Sequence, residues 1–386
     1  MRKLKLFGII STSLIVLLVG GGFAFYHFYL KPMMDIKPAQ NYLTTTEYFD
    51  QAMVDSVFHY TKKNCRNGAN IAIAIVDEGR VHYFGVERKL DKLTPIENSK
   101  SLYQIGSISK VFTSIILAHY ALNKEIKLDE SIDKYLGYKL NKDVKLKWQD
   151  LANHTTGLDR MPDGVAFNTV KNFDNPYASY NNVWMENYLK TKVEIISDKK
   201  GKSNYSNLGV GILGSSLALF KNTTYDALLN NLVTKKYGLN QTFVYKSSAF
   251  DKLVKCYDMM DSPVTIHWEL NAFNPAGGIV SNTEDMSKFI LANLDNRNGE
   301  LNLTHLPTAR IDSTLSIGLG WHILKSRDNR NLLFHNGATG NFRSSMFIDK
   351  DRQKGIIILS NVSQNDSKNS LDRLSRSLIE LINLRD

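Results

Sequence analysis

Ser107 and Lys110 stand at i and i+3 in the stretch Tyr103-Gln104-Ile105-Gly106-Ser107-Ile108-Ser109-Lys110. A hydroxyl and an amine at that spacing are the pair an activated serine nucleophile needs. On a helix, residues three apart are neighbours. Both side chains then feel the positive N-terminal end of the helix dipole, which disfavours a protonated amine and favours a nucleophilic oxygen. Alone, Ser-x-x-Lys is a weak signal, because the same tetrad starts many solvated helices in which the serine merely caps the first turn. The apolar residues that follow, Val111, Phe112, Ile115, Ile116 and Leu122, recur at helical spacing. They predict a buried helix entered from a loop at Gly106-Ser107.

The elements that must hold such a pair can be read on either side of it. Phe49, Met53, Val57 and Tyr60 mark one face of an amphipathic helix, and Ile71-Ala72-Ile73-Ala74-Ile75-Val76 reads as a buried strand. Asp77-Glu78-Gly79-Arg80 turns that strand into a second one, Val81 to Val86, as a hairpin. After Leu128-Asp129-Glu130 the texture changes to short helical segments and Asn-rich loops. Strand texture returns at Ile317 to Ile323, Leu332 to Phe334, Ser345 to Ile348 and Ile356 to Leu359, and a closing helix carries Leu371, Leu374, Leu378, Ile379 and Ile382. The expected fold is α/β (α+β). An antiparallel sheet built from the N- and C-terminal segments is flanked by helices, with a helical subdomain inserted at about residues 137–265.

With 386 residues, 43% of them hydrophobic and 22% charged, the chain can bury a large core. The formal net charge of +10 is spread along Lys/Asn-rich stretches such as Asn123-Lys124 and Asn141-Lys142. No compact basic cluster with interleaved aromatics occurs, so nucleic acid is not expected as a partner. Cys65 and Cys256 match no metal-ligand spacing and leave a single disulfide open. Met1-Arg2-Lys3-Leu4-Lys5 is basic, and Leu6 to Leu30 then runs without a charged side chain before Lys31. That run is long enough to span a bilayer and carries no small-x-small cleavage site, which favours an uncleaved membrane anchor or signal at 1–31 over a removed leader. The basic start places the chain after Lys31 outside the cytoplasm, a single-pass cell-membrane localisation, with a secreted or periplasmic form if the leader is cleaved. Residues 32–48 read as a linker and 49–386 as the globular domain.

Four further stretches occur in a telling order: Leu151-Ala152-Asn153-His154-Thr155-Thr156-Gly157-Leu158, Asn204-Tyr205-Ser206-Asn207-Leu208-Gly209, Asn274-Pro275-Ala276-Gly277-Gly278-Ile279-Val280-Ser281 and Phe334-His335-Asn336-Gly337-Ala338-Thr339-Gly340. With Ser-x-x-Lys they make the chain, from about residue 45 to 385, resemble the serine β-lactamase-like family of class C type, which includes DD-peptidases, esterases and D-amino-acid amidases. The resemblance implies a hydrolase that works through an acyl-enzyme without metal or organic cofactor. It implies Ser107 as nucleophile, Lys110 as its proton-accepting neighbour and Tyr205 as the phenol that relays protons to the leaving group, a partial phenolate when cations sit close. Asn207 would hold the substrate amide, and His335 would face Tyr205 across the cleft. The oxyanion hole would come from the backbone N–H groups of Ser107 and Ala338, next to Gly337. His154 and its turn shape the fold.

The chain departs from the lactamase pattern at the last motif, where His335 replaces a lysine and Asn336 and Ala338 replace hydroxyl residues. Less fixed charge and fewer hydroxyl donors argue against efficient penicillin hydrolysis, although Arg343 is near enough in sequence to supply a cation. An ordinary histidine titrates near 6.5, so His335 predicts a pH-dependent activity between about 5.5 and 7.5. The expected substrates are small molecules or peptides, among them D-amino-acid peptides, esters and peptidoglycan-derived amides. The alternatives are a dedicated class C-like β-lactamase and a catalytically weak penicillin-binding or regulatory protein.

Overall fold

Asp50 opens the first helix by accepting the backbone N–H of Met53, which satisfies one of the donors a helix start leaves free. This helix, α1 (Gln51–Asn64), buries Met53, Val54 and Val57. The computed structural model describes residues 39–162, 175–258, 261–326, 328–362 and 370–385. The strands are β1 (Gln40–Asn41), β2 (Asn70–Asp77), β3 (Arg80–Lys89), β4 (Lys92–Pro95), β5 (Tyr103–Gln104), β6 (Phe243–Val244), β7 (Ile279–Ser281), β8 (Ala309–Arg310), β9 (Leu315–Ile317), β10 (His322–Lys325), β11 (Asn331–Ala338), β12 (Arg343–Asp349) and β13 (Lys354–Ser360). The other principal helices are α2 (Ser109–Leu122), α3 (Asn207–Phe220), α4 (Thr283–Leu294) and α5 (Ser370–Asn383).

Ten strands form one sheet in the order β1-β4-β3-β2-β13-β12-β11-β10-β9-β8, so the two chain ends meet where β2 pairs with β13. Every pairing in it is antiparallel except the edge pair β1–β4. Ile71, Ile73 and Ile75 point to one face, where Ile356 and Ile358 join α1 and the apolar stripe of α5, Leu371, Leu374, Leu378, Ile379 and Ile382. Ala72, Ala74 and Val76 point to the other, under α2 and α4. A strand covered on both sides reads as a continuous apolar run rather than an alternation. The described residues between β5 and β8 are mostly helical and also hold a second sheet, β5-β7-β6. β5 leads straight into the Ser107 turn, and Ile105 N–H donates to Ile279 O (2.9 Å) at the start of β7.

Three expectations change. Part of the expected linker is an edge strand: Gln40 N–H donates to Asp91 O (2.6 Å) and Tyr42 N–H to Leu93 O (2.9 Å), because Ala39 and Leu43 are apolar enough to be buried there. The run Ile317 to Ile323 is two strands, separated by a turn in which Gly318 N–H donates to Trp321 O (2.9 Å). The expected single-pass membrane localisation is also corrected. Among the described residues no helix is long and apolar enough to cross a membrane. The apolar helices α2 and α3 have 14 residues each, about 21 Å at 1.5 Å per residue, against a hydrocarbon core of about 30 Å. Leu6 to Leu30, which carried that expectation, lies outside the described residues. Cys65 and Cys256 are both buried, and among the described residues no disulfide joins them, which answers the possibility the sequence left open.

β11 must pass close to the Ser107 turn, and Gly337 is where it does so. A Cβ at Gly337 would lie 2.0 Å from Ile105 O and 2.4 Å from Ser344 Oγ, so at least one backbone atom would have to move. Gly337→Ala should therefore lower the free energy of unfolding by about 1–3 kcal/mol, the usual cost of overpacking. Urea unfolding of parent and variant measures this, and an unchanged midpoint would mean that β11 and the turn are not held this close.

Candidate active site

Ser107 lies in a single 3₁₀ turn, Gly106–Ile108, that runs into α2. Ser109 Oγ donates to Gly106 O (2.7 Å) and accepts Ile279 N–H (3.1 Å), tying the turn to β7. Ser344 Oγ donates to Ile105 O (2.7 Å), tying it to β12. Gly106 has φ +54°, and a Cβ there would sit 2.5 Å from Ala338 N. A side chain at that left-handed position would be strained and would push β11 away. The turn is thus clamped with the backbone of Ala338 beside it.

Lys110 Nζ lies 3.0 Å from Ser107 Oγ and donates to Ala276 O (2.6 Å). Thr113 Oγ1 donates to Pro275 O (2.7 Å), so the same backbone corner is held twice from one face of α2. Lys110 is fully buried and pairs with no carboxylate among the described residues. Desolvation, followed by the charge of Arg160, holds its amine well below the ordinary lysine range. A neutral amine that donates to Ala276 O keeps a lone pair for the Ser107 hydroxyl proton.

Tyr205, Ser206 and Asn207 form the entry to α3. Ser206 Oγ accepts the N–H of Gly209 (2.9 Å) as the helix cap and donates to Asp159 O (2.6 Å). The turn from His154 to Leu158 cradles this entry: Asn204 N–H donates to His154 O (2.8 Å), Asn204 Nδ2 to Leu158 O (2.7 Å), and Ser206 N–H to His154 Nδ1 (3.2 Å). The Tyr205 hydroxyl lies beside Ser107, whose side chain favours its ionised form. Lys110 Nζ and the Arg160 guanidinium carbon each lie 4.9 Å from the centre of the Tyr205 ring. Burial nevertheless pushes the phenol up to about 12, against the pull of Ser107 and Arg160. The partial phenolate expected from sequence is therefore not the resting state, because desolvation outweighs Ser107 and Arg160 together.

His335 faces this group from β11, with its ring centre 6.5 Å from that of Tyr205. Nδ1 lies 2.6 Å from Asn336 O, and a carbonyl can only accept, so Nδ1 carries the proton. Nε2 is buried and has no partner among the described residues. Desolvation is the main cause that keeps the ring well below the usual histidine range. The expected pH sensitivity of His335 between about 5.5 and 7.5 is corrected accordingly, since the full burial of the ring keeps it neutral there.

Asn207 Nδ2 donates to Met161 Sδ (3.4 Å), and its Oδ1 is buried with no partner among the described residues. Asn336 is turned away to Asp372 (2.6 Å). Arg343 lies on β12 one residue before Ser344, so its side chain leaves the face opposite to the hydroxyl that meets Ile105 O. Beside Ser107 is a small cleft, about 270 Å³ of empty space with the adjoining open solvent included, lined by Tyr177, Asn207, Trp268, Leu270, Phe273 and Ala338 among others. Among the described residues no cluster of His, Cys, Asp or Glu could hold a metal ion.

The sequence reading missed Arg160 and His322. Arg160 lies two residues beyond Leu158, at the end of the quoted turn. His322 was assigned to a continuous strand; the break at Gly318–Trp321 makes it the first residue of β10, with its ring 5.2 Å from that of His335.

The comparisons with known proteins bear on the fold and the family. The family model described as Beta-lactamase matches residues 61–379. The Beta-lactamase of Providencia stuartii is 25% identical over 231 residues, covering 59% of this chain and 55% of that protein. The match to the Beta-lactamase of Psychrobacter immobilis covers 53% of that protein, so the chain spans about half the length of these two curated relatives. The Beta-Lactamase/D-Alanine Carboxypeptidase from Pseudomonas syringae superposes with a TM-score of 0.70 at 19% identity, over 86% of this chain and 98% of that one. The class C beta lactamase from Rhodobacter sphaeroides does so with a TM-score of 0.70 at 18% identity, over 86% and 99%. At such identities the superpositions establish the fold. With the match of the family model to most of its length, the chain belongs to the β-lactamase family.

Proposed function

We propose that this protein is a serine hydrolase that cleaves amides or esters through an acyl-enzyme on Ser107. The observation that carries the reading is the buried, unpaired amine of Lys110 at 3.0 Å from the Ser107 hydroxyl. Lys110 Nζ takes the Ser107 proton as Oγ attacks the carbonyl carbon. The oxyanion is received by the N–H groups of Ser107 and Ala338, a kind of contact that contributes about 3–4 kcal/mol per donor. The intermediate collapses with cleavage of the bond to the leaving nitrogen or oxygen, which takes its proton from Lys110 through the Tyr205 hydroxyl. Water, activated by the same groups in reverse, then hydrolyses the acyl ester and restores Ser107.

Asn207 suits the substrate amide because its buried Oδ1 lacks a donor, and an unmet acceptor there is costly until a ligand N–H arrives. His335 suits a neutral site wall with an accepting Nε2. The small cavity lined by Tyr177, Trp268, Leu270 and Phe273 favours a compact or apolar acyl group. Peptides with D-residues and wall-derived amides or esters are the substrate class proposed.

A neutral fluorophosphonate should label the parent at one residue, Ser107, and Ser107→Ala should lose that adduct in intact-protein mass spectrometry. Equal labelling of the variant would remove Ser107 from the mechanism. The second expectation concerns pH. Since His335 stays neutral, His335→Gln should leave any inflection of the acylation rate between pH 5.5 and 7.5 where it stands in the parent. Loss or displacement of that inflection would show that His335 titrates there. Stability behaves differently. The depressed groups His154, His322, His335, His267 and His305 are neutral when folded but protonate near pH 6.5 when unfolded. Unfolding therefore takes up protons as pH falls below about 6.5, and stability declines in that direction.

A further inference from the structure

The last motif offers no anchor for an anionic group. Asn336 is engaged by Asp372 on the other face, His335 is neutral, and Arg343 leaves the sheet on the face away from Ile105. Lys110 is buried and committed to Ser107 Oγ and Ala276 O. One cation at the mouth remains uncommitted. The guanidinium of Arg160 is exposed, lies 4.9 Å from the centre of the Tyr205 ring, and has no ion pair or side-chain hydrogen bond among the described residues. Its neighbour Asp159 is taken by Lys199 (2.9 Å). The backbone beneath it is fixed, because Arg160 O accepts the N–H groups of Asn207 (2.9 Å) and Leu208 (3.2 Å) at the start of α3.

A guanidinium stacked on an aromatic face keeps its edge N–H groups free, and two of them match a carboxylate in a bidentate fork. The ring it stacks on carries the hydroxyl that lies beside Ser107. In the mechanism proposed above, that hydroxyl serves the leaving group. We infer that Arg160 is the specificity-determining residue of this site, recognising a carboxylate on the leaving-group side of the scissile bond. The inference rests on the acyl-enzyme reading and adds to it the charge of the preferred substrate. The cation that β11 lacks is supplied from the turn after Leu158, across the cleft.

The test compares two aryl esters that differ only in the leaving group, one carrying a carboxylate and the other a carboxamide. Their kcat/KM ratio is measured for the parent, Arg160→Ala and Arg160→Lys. A hydrogen bond to a charged partner contributes enough that the ratio in Arg160→Ala should fall about 10- to 100-fold. Most of that fall should be in KM, and Arg160→Lys, lacking the planar fork, should recover only part of it. A ratio that changes by less than about fivefold would overturn the inference, including the case in which both esters slow equally because Arg160 acts only on Tyr205. The dissociation constants of the same two esters for Ser107→Ala, with and without Arg160→Ala, give the same ratio without turnover. If the parent hydrolyses neither ester, the acyl-enzyme reading fails, and the binding ratio still decides the role of Arg160.

Discussion

An unpaired lysine buried at full depth is the constraint on which the rest of this structure depends. Placing an ammonium away from water costs several kcal/mol unless a carboxylate or a rich set of acceptors meets it. Around Lys110 the described residues supply one backbone acceptor, Ala276 O, and the Ser107 hydroxyl. The lower-energy form is the free amine, and a free amine 3.0 Å from a hydroxyl is a base. Folding thus favours the free amine, since water would hold the same side chain protonated up to about pH 10.

The scaffold is arranged to keep that pocket dry and fixed. Ser109 and Ser344 tie the Ser107 turn to β7 and β12, and Thr113 and Lys110 tie α2 to Pro275 and Ala276. The sheet built from both chain ends brings β11 against the turn, and the N-cap of α3 delivers Tyr205. Each cleft wall therefore comes from a different part of the chain. The wall on β11 departs from the lactamase pattern in charge: a buried neutral histidine stands where a lysine would hold a positive charge, and Arg160 brings the exposed cation from the opposite side.

Much of this was legible in the sequence, for identifiable reasons. The helix after Ser107 was readable because Val111, Phe112, Ile115 and Ile116 repeat at helical spacing, and the hairpin because a Gly-containing turn joins two apolar runs. The fold places Ser107, Lys110, Tyr205 and His335 near one another, and their roles are those proposed above. What was hidden is what depends on environment. The burial of His335 that abolishes its titration near neutrality is a property of β11 between its neighbours, and no residue type reports it. The strand break before His322 follows from the packing of the turn at Gly318–Trp321, while the apolar alternation runs through it unbroken. Arg160 gave no signal because an exposed arginine in a loop is the commonest of surface residues until the fold lays it over Tyr205. The edge strand at Gln40 was masked by polar composition, since its pairing with β4 is backbone-driven.

The central claim, that Lys110 is an uncharged base for Ser107 at neutral pH, is tested most directly by the pH dependence of Ser107 acylation with a neutral fluorophosphonate, measured on the parent and on Lys110→Arg. A free amine in the folded protein predicts a rate that reaches its plateau well below the ordinary lysine value of about 10.4, and loss of that plateau in Lys110→Arg. A parent rate that keeps rising as pH approaches about 10 would contradict it, because Lys110 would then titrate as an ordinary solvated lysine.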